Sequence, residues 1–219
     1  MVSITNRTKV KVKTAKYRSK SSTKWLQRQL NDPFVKKAHE LGYRSRATFK
    51  IIEIDDKFHL FKQGKKVADI GSAPGGWSDI AVKRVGKGNV AAIDILEMKP
   101  IDGVKFKQVD FNLDEAKEFL IQALNGKADV VISDIAPNTT GNQSVDHLQI
   151  MALVEQAYYF AIEVLKTGGS FVAKVRQGGT EASLLSEMKK HFSTVKHFKP
   201  NSSRKESAET YVIAQGFKE

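Results

Sequence analysis

A glycine-rich segment between two elements of different hydrophobic period constrains the fold of this chain most strongly. Lys66–Gly71 (KVADIG) is a short apolar run typical of a buried strand, and Trp77–Val85 has the spacing of a helix. Glycines in such a connection let the backbone approach a ligand, and the N-terminus of a helix offers unpaired N–H groups. The segment therefore predicts a strand–loop–helix unit that binds a ligand, with a tight turn of packing glycines as the alternative.

The alternation of strands and helices continues towards the C-terminus. The further predicted elements are strands Val90–Ile95, Phe106–Val109, Val130–Ser133 and Ser170–Val175, and helices Asp114–Leu124, Val145–Leu165 and Thr180–Phe192. Two last strands, Thr194–Phe198 and Glu209–Gly216, have no helix between them and predict a hairpin at the sheet edge. We expect an α/β fold, a single Rossmann-like domain with a seven-stranded, mostly parallel sheet whose last strand is antiparallel.

The positive charge is confined to the N-terminal part of the chain. The formal net charge is +12, and residues 1–50 contain 14 Lys or Arg but only two acidic residues. The remaining residues contain 22 basic and 22 acidic side chains, so they are neutral overall. A local excess of this kind attracts nucleic-acid phosphates, although a basic tail that only aids solubility is the alternative.

Composition also divides the chain and excludes several classes. Residues 1–22 are rich in Lys, Ser and Thr and predict a mobile basic tail, with an organelle transit peptide as the alternative. Residues 23–60 predict short helices, and 61–219 the Rossmann-like core. No apolar run approaches the roughly 20 residues of a membrane span, and the absence of cysteine excludes disulfides and thiolate nucleophiles. We expect a cytoplasmic monomer that does not associate with membranes.

Acidic residues follow the predicted strands at the edge where the glycine loop lies. The glycines fall as G-x-x-x-G-G, which is neither the dinucleotide fingerprint nor a P-loop. Asp69 precedes the loop, and Asp94 and Asp110 end the next two strands. Ligands of open α/β sheets bind outside the carboxyl ends of the strands. Carboxylates there suit a ligand with a ribose diol, an amine and a positive charge, such as S-adenosyl-L-methionine, although capping of turns is the alternative.

A lysine occupies the middle of an otherwise apolar strand. Lys174 follows Phe171-Val-Ala, and buried ammonium groups are rarely left unpaired. The preceding strand ends at Ser133-Asp134, which places Asp134 in the same crevice as the glycine loop. The pattern predicts a lysine that acts as a base, with a salt-bridged or snorkelling lysine as the alternative.

Five motifs together resemble a known family. They are Arg44–Lys50 (RSRATFK), Asp69–Ser78 (DIGSAPGGWS), Ser133–Asn138 (SDIAPN), Lys174–Gly178 (KVRQG), and Lys199–Arg204 (KPNSSR) with Glu209–Tyr211 (ETY). From about Pro33 to the C-terminus the chain resembles the FtsJ/RrmJ family of large-subunit ribosomal RNA 2′-O-methyltransferases, which implies S-adenosyl-L-methionine as the cofactor. By motif, the family's catalytic tetrad falls on Lys50, Asp134, Lys174 and Glu209, and its cofactor contacts fall on Gly75, Trp77, Asp94, Asp110 and Asp134.

The resemblance implies methylation of a uridine ribose in the A-loop of large-subunit ribosomal RNA, on an assembled subunit. Lys174 is predicted to be the general base, Asp134 its orienting partner, and Lys50 a cation that positions the ribose. Glu209 is predicted to have a supporting role. No metal is needed because the leaving thioether is neutral, and Arg176 replaces an aromatic residue that the family often has. A methyltransferase of tRNA or of an mRNA cap would share the tetrad, and a non-catalytic ribosome-assembly factor is the other alternative.

Overall fold

A computed structural model describes residues 10–137, 140–176, 181–204 and 206–218. The motif residues Asn138, Gln177 and Gly178, the predicted helix start at Thr180, and tail residues 1–9 lie outside the described residues. The chain divides into two compact units, Met1–Arg46 and Ala47–Glu219. Within the described ranges, no helix combines the length and the apolar character that crossing a membrane requires.

The first unit contains two short helices behind a single 3-10 turn at Ala15–Tyr17. Helix α1 spans Lys20–Leu30 and begins three residues before the predicted helical segment 23–60, within the predicted tail. Helix α2 spans Pro33–Glu40. Asp32 explains where α2 begins, because its carboxylate accepts a hydrogen bond from the Phe34 amide at 3.0 Å. The same carboxylate pairs with the Arg46 guanidinium at 2.9 Å.

The second unit is a seven-stranded sheet with helices. Its elements are α3 Thr48–Phe58, β1 Val67–Ile70, α4 Gly76–Val85, β2 Val90–Asp94, β3 Val104–Gln108, α5 Asp114–Leu124, β4 Ala128–Ser133, α6 Gln143–Val164, β5 Leu165–Arg176, α7 Glu181–His191, β6 Phe192–Phe198 and β7 Glu209–Phe217. The strand order is β3-β2-β1-β4-β5-β7-β6. β7 is antiparallel to both β5 and β6, and the pairs formed by β1 to β5 are parallel. The predicted fold class is thereby confirmed.

Alternate residues of the strands face opposite sides of the sheet. Ala68 and Ile70 of β1 belong to the large apolar core that α5, α6 and α7 share with the sheet. Asp69, which lies between them, contacts Ser78 of α4 on the other side. Because both faces are covered, the central strands are apolar along most of their length. The polar residues that interrupt them, such as Asp69 and Lys174, therefore need a local explanation.

Strand β5 begins earlier than the sequence predicted. We expected Gly168-Gly169 to end α6 and the strand to start at Ser170, but β5 already begins at Leu165. Ala128 pairs with Leu165, whereas Val130, only two residues on, pairs with Ser170. The extra residues of β5 form a bulge that contains both glycines. Gly168 has a φ of 80°, which explains why a residue without a side chain stands there.

Candidate active site

The carboxyl ends of β4 and β5 bring a lysine and an aspartate together. Lys174 is 7% exposed. Its Nζ lies 3.2 Å from Asp134 Oδ1 and donates a hydrogen bond to the main-chain oxygen of Asp134 at 2.7 Å. An amino group has three positions for hydrogen bonds when protonated. Asp134 uses two of them, and no other described residue takes the third.

Helix α3 supplies a second lysine to the same place. Lys50 is 8% exposed, and its Nζ lies 3.5 Å from Glu209 Oε2 on the first residue of β7. The Glu209 side chain is 43% exposed, so this ion pair lies at the outer edge of the cluster. The structure therefore brings all four residues of the predicted tetrad together from four different elements.

The site has a central residue that the sequence reasoning did not single out. Tyr211 of β7 pairs with Lys174 across the sheet, and it is fully buried. Its hydroxyl donates a hydrogen bond to Asp134 Oδ1 at 2.8 Å, and its ring centroid lies 5.4 Å from Lys50 Nζ. The signal was available, because Tyr211 is two residues from Glu209 and must share its face of the strand.

Asp134 carries the negative charge of this cluster. Burial alone would raise the pKa of its carboxyl group, since it disfavours the charged form. The ammonium groups of Lys174 and Lys50 and the hydrogen bond from Tyr211 outweigh burial and hold the pKa of Asp134 below its ordinary value. Asp134 is consequently ionised at neutral pH and serves as the counter-charge for both lysines.

The glycine loop is fastened to the end of β2 by a carboxylate. Asp94 Oδ2 accepts a hydrogen bond from the Ala73 amide and Asp94 Oδ1 one from the Leu96 amide, both at 2.8 Å. Gly71 and Gly75 have φ angles of 73° and 96°, a region that favours glycine. Asp94 thus lies beside the loop, as predicted, and it shapes the loop with both oxygens. Each carboxylate oxygen can still accept a further hydrogen bond.

The loop also contains a buried hydroxyl group without a partner. Ser72 is 5% exposed, and its Oγ has no hydrogen bond to any described residue. A buried polar group without a partner costs free energy, so such a group commonly marks the place of a ligand or water. At Gly71 a Cβ would lie 2.1 Å from Ile135 Cγ1, so only glycine fits there. The loop is therefore tightly packed at Gly71 and offers a polar atom at Ser72.

Two of the predicted cofactor residues have structural partners of their own. Trp77 is 3% exposed, its Nε1 donates to the Ala47 oxygen at 3.0 Å, and its ring lies 5.6 Å from that of Tyr211. Asp110 is exposed, and its Oδ1 accepts hydrogen bonds from the amide and the side chain of Asn112 at 3.0 and 2.9 Å. The Trp77 ring is thus part of the core, and Asp110 closes a turn, which is the capping alternative.

A buried carboxyl group lies beneath the loop. Asp69 is 1% exposed and accepts a hydrogen bond from the Ser78 hydroxyl at 2.5 Å. Burial raises the pKa of Asp69, the Ser78 hydrogen bond lowers it, and the charges of Asp134 and Asp94 raise it, with a net result of about 7. Asp69 therefore changes its charge near neutral pH in the folded protein.

This raised pKa predicts a specific dependence of stability on pH. The unfolded chain releases the Asp69 proton near 3.8 and the folded chain near 7, so the contribution of Asp69 to stability is complete below about pH 4 and disappears as pH rises to 7. The loss is at most about 1.4 kcal/mol per pH unit. We expect Asp69→Asn to lack this loss, so that the variant gains stability relative to the native chain between pH 5 and 7. Urea unfolding across that range measures the effect, with Asp102→Asn as an exposed control, and parallel curves would contradict it.

Comparison with known proteins identifies the family. The model of the FtsJ-like methyltransferase family matches residues 43–217. A protein from Paramagnetospirillum magneticum, named ribosomal RNA large subunit methyltransferase E, is 57% identical over 215 residues, which cover 95% of this chain and 88% of that protein. A protein of the same name from Azorhizobium caulinodans is 54% identical over 214 residues, with 96% and 89% covered.

A solved structure extends the similarity to three dimensions. A Plasmodium falciparum structure assigned as a ribosomal RNA methyltransferase has a TM-score of 0.70 and 30% identity, and the match covers 80% of this chain and 98% of that one. The family model and these relatives confirm the resemblance that the motifs indicated. The chain therefore belongs to the family of FtsJ-like methyltransferases.

Proposed function

We propose that this chain methylates a ribose 2′-hydroxyl of large-subunit ribosomal RNA with S-adenosyl-L-methionine, using Lys174 as the general base. The observation that carries the proposal is that Lys174 Nζ directs two of its three positions at Asp134 and none at any other described residue. A hydroxyl group is a poor nucleophile until its proton is removed, so a positioned base is the main requirement for transfer to an alcohol.

The surroundings of Lys174 decide how readily it accepts that proton. A lysine in water has a pKa of about 10.4 and is almost fully protonated at neutral pH. Lys174 is buried, and the Asp134 carboxylate that it contacts is also under the charge of Lys50. We propose that Asp134 orients Lys174 through its main-chain oxygen and its Oδ1, and that the third position of Lys174 Nζ faces the ribose hydroxyl.

Lys50 and Glu209 have supporting roles in this proposal. Lys50 is nearly buried and still carries a positive charge towards the cluster, which suits a cation that positions the ribose oxygen. Glu209 lies at the exposed edge of the cluster, and its Oε2 holds Lys50 Nζ at a distance of 3.5 Å. Because an exposed ion pair contributes little free energy, we expect the loss of Glu209 to matter less than the loss of Lys50.

The residues around the glycine loop fit S-adenosyl-L-methionine. The buried Ser72 hydroxyl without a partner and the carboxylates of Asp94 and Asp134 surround the loop with polar groups and negative charge. When bound, the cofactor supplies a methyl group on a positively charged sulfur. We propose that Gly75 and the main chain of Trp77 contact it from the start of α4, and that Asp94, Asp110 and Asp134 bind its polar groups. The buried Trp77 ring would act only by supporting the loop.

The proposed substrate follows from charge and from the relatives. The relatives from Paramagnetospirillum magneticum and Azorhizobium caulinodans are named as methyltransferases of large-subunit ribosomal RNA, and the basic excess of residues 1–50 suits RNA phosphates. We propose a uridine of the A-loop in an assembled large subunit as the target. In this proposal, residues 1–22 are a basic segment that contacts RNA, 23–219 form the methyltransferase domain, and the protein is a cytoplasmic monomer.

A transfer assay with matched substrates tests this function. The protein is incubated with methyl-labelled S-adenosyl-L-methionine and either large subunits, free ribosomal RNA, tRNA or capped mRNA. We expect label in the large-subunit ribosomal RNA, with assembled subunits preferred over free RNA. Label in tRNA or the cap alone would move the substrate to the alternative class. Binding to subunits without any transfer would indicate a non-catalytic assembly factor.

The basic tail predicts a dependence of RNA binding on salt. Residues 1–22 contain seven Lys or Arg and no acidic residue. Replacing Lys11, Lys13 and Lys16 with glutamine keeps the length of the chain and removes three charges. If these residues contact phosphates, the slope of log affinity against log salt concentration becomes less steep by up to about 2. Fluorescence anisotropy at several salt concentrations measures the slope, and kcat at saturating RNA should stay unchanged. Identical slopes would assign the tail another role.

A further inference from the structure

Tyr211 connects the charged groups of the site although it is sealed from solvent. It has no exposed surface, and its ring packs against Trp77 with centroids 5.6 Å apart. Its hydroxyl reaches Asp134 Oδ1 at 2.8 Å, the same oxygen that lies 3.2 Å from Lys174 Nζ. Tyr211 therefore cannot contact RNA, but it shares one carboxylate oxygen with the proposed base.

We propose that Tyr211 is a positioning residue that controls the protonation of Lys174 through Asp134. The inference rests on the proposed function, in which Lys174 must be neutral before it can accept a proton. A hydrogen bond donated to a carboxylate oxygen withdraws negative charge from it. Asp134 then attracts the Lys174 proton less strongly, and Lys174 releases it at a lower pH than it would without Tyr211.

Other charged groups around Lys174 act in both directions, but none replaces this hydroxyl. Lys50 on α3 favours the neutral amine, and Glu209 on β7, whose carboxylate pairs with Lys50, opposes it. On β5 itself, Arg176 is two residues from Lys174 and lies on the same face of the strand. Asp69 on β1 acts on Asp134 by charge from the neighbouring strand. Among the described residues, Tyr211 is the one that donates a side-chain hydroxyl to Asp134 Oδ1.

The variant Tyr211→Phe removes the hydroxyl and keeps the ring. The rate of methyl transfer should rise with pH as Lys174 becomes neutral, which gives an acidic limb in the profile of kcat against pH. We expect this limb to move to higher pH by roughly one unit in Tyr211→Phe, because hydrogen bonds to charged groups have energies of that order. At pH values above the shifted limb, kcat should recover, and KM for RNA and cofactor should change little.

A second buried tyrosine provides a matched control. Tyr158 is also fully buried, and its hydroxyl hydrogen-bonds with His191 Nδ1 at 2.5 Å, away from the site. Tyr158→Phe should leave the acidic limb in place. Site-specific incorporation of 3-fluorotyrosine at position 211 keeps the hydroxyl and makes it a stronger donor. It should shift the limb to lower pH, and it tests the inference even if Tyr211→Phe does not fold.

The outcomes separate this inference from the proposed function. An active native protein whose limb stays in place in both Tyr211 variants would overturn the role of Tyr211 alone. A uniform fall of kcat in Tyr211→Phe at every pH would do the same, because it indicates only a structural role. A native protein without any methyl transfer to ribosomal RNA would instead overturn the function itself.

Discussion

Lys174→Ala is expected to lower kcat for methyl transfer by about 10³-fold, within the range that a general base contributes. The variant removes the proposed base, while the glycine loop and its contacts to Asp94 stay in place. We therefore expect the Kd for S-adenosyl-L-methionine to change less than about threefold, since the glycine loop and Asp94 keep their contacts. Labelled methyl transfer and calorimetry measure the two effects.

Two further variants show whether the proton of Lys174 or only its charge is needed. Lys174→Arg keeps a cation, but arginine does not lose its proton in this range, so we expect it to be as inactive as the alanine variant. Lys166 provides the matched control, because it lies at the opposite end of the same strand and pairs with Asp129 of β4 at 2.5 Å. Lys166→Ala should keep its activity. Substantial activity in Lys174→Arg would assign Lys174 an electrostatic role instead.

Asp134→Asn is expected to reduce both activity and stability. The substitution removes the counter-charge of two nearly buried ammonium groups and the group that orients Lys174. Breaking a buried ion pair on one side costs about 3 kcal/mol. We expect the free energy of unfolding at pH 7 to fall by about that amount, and kcat by about 10²-fold or more, since an orienting carboxylate can be worth that much to its base.

The pH dependence gives the sign of the stability effect. The pKa of Asp134 is lowered in the folded protein, so its contribution to stability is present at neutral pH and is lost only as pH falls below about 4. The part of the difference between the native chain and Asp134→Asn that comes from the Asp134 charge should therefore be present at neutral pH and shrink in stronger acid. Between pH 5 and 8 the difference also includes the effect of Asp69, whose pKa the Asp134 charge raises.

Asp129→Asn separates stability from catalysis in the same strand. Asp129 lies near the start of β4, pairs with Lys166, and accepts a hydrogen bond from the Lys66 amide at 2.8 Å. The variant should lose stability and keep its kcat at temperatures at which it is folded. If Asp129→Asn and Asp134→Asn lowered kcat equally, the effect of Asp134 would be structural.

The amino-acid sequence predicts most of the fold because its hydrophobic periods are clear. The glycine loop, the parallel strands and the antiparallel last strand all follow from local patterns. The predicted start of β5 was wrong. The helical pattern runs through Leu165 and a glycine pair normally ends a helix, so the sequence predicted that the strand begins only at Ser170. A bulge depends on the pairing of β5 with β4, which is a tertiary property and leaves no periodic signal.

The sequence indicates members of a candidate site but not their geometry. The motifs indicate Lys50, Asp134, Lys174 and Glu209, and the structure brings them together. Sequence alone could not show that Tyr211 holds Asp134, because its hydrogen bond depends on the register of β7 against β5. Nor could it show that the Trp77 ring is buried, since an exposed and a buried tryptophan at a helix start have the same local pattern.

The most direct test of the central claim is to identify the methylated atom. Large subunits are incubated with labelled S-adenosyl-L-methionine and either the native chain or Lys174→Ala, and the ribosomal RNA is digested to nucleosides for mass spectrometry. Our account predicts one 2′-O-methyluridine, located in the A-loop, that the native chain produces and Lys174→Ala does not. A methyl group on a base, or equal 2′-O-methylation by Lys174→Ala, would contradict the account.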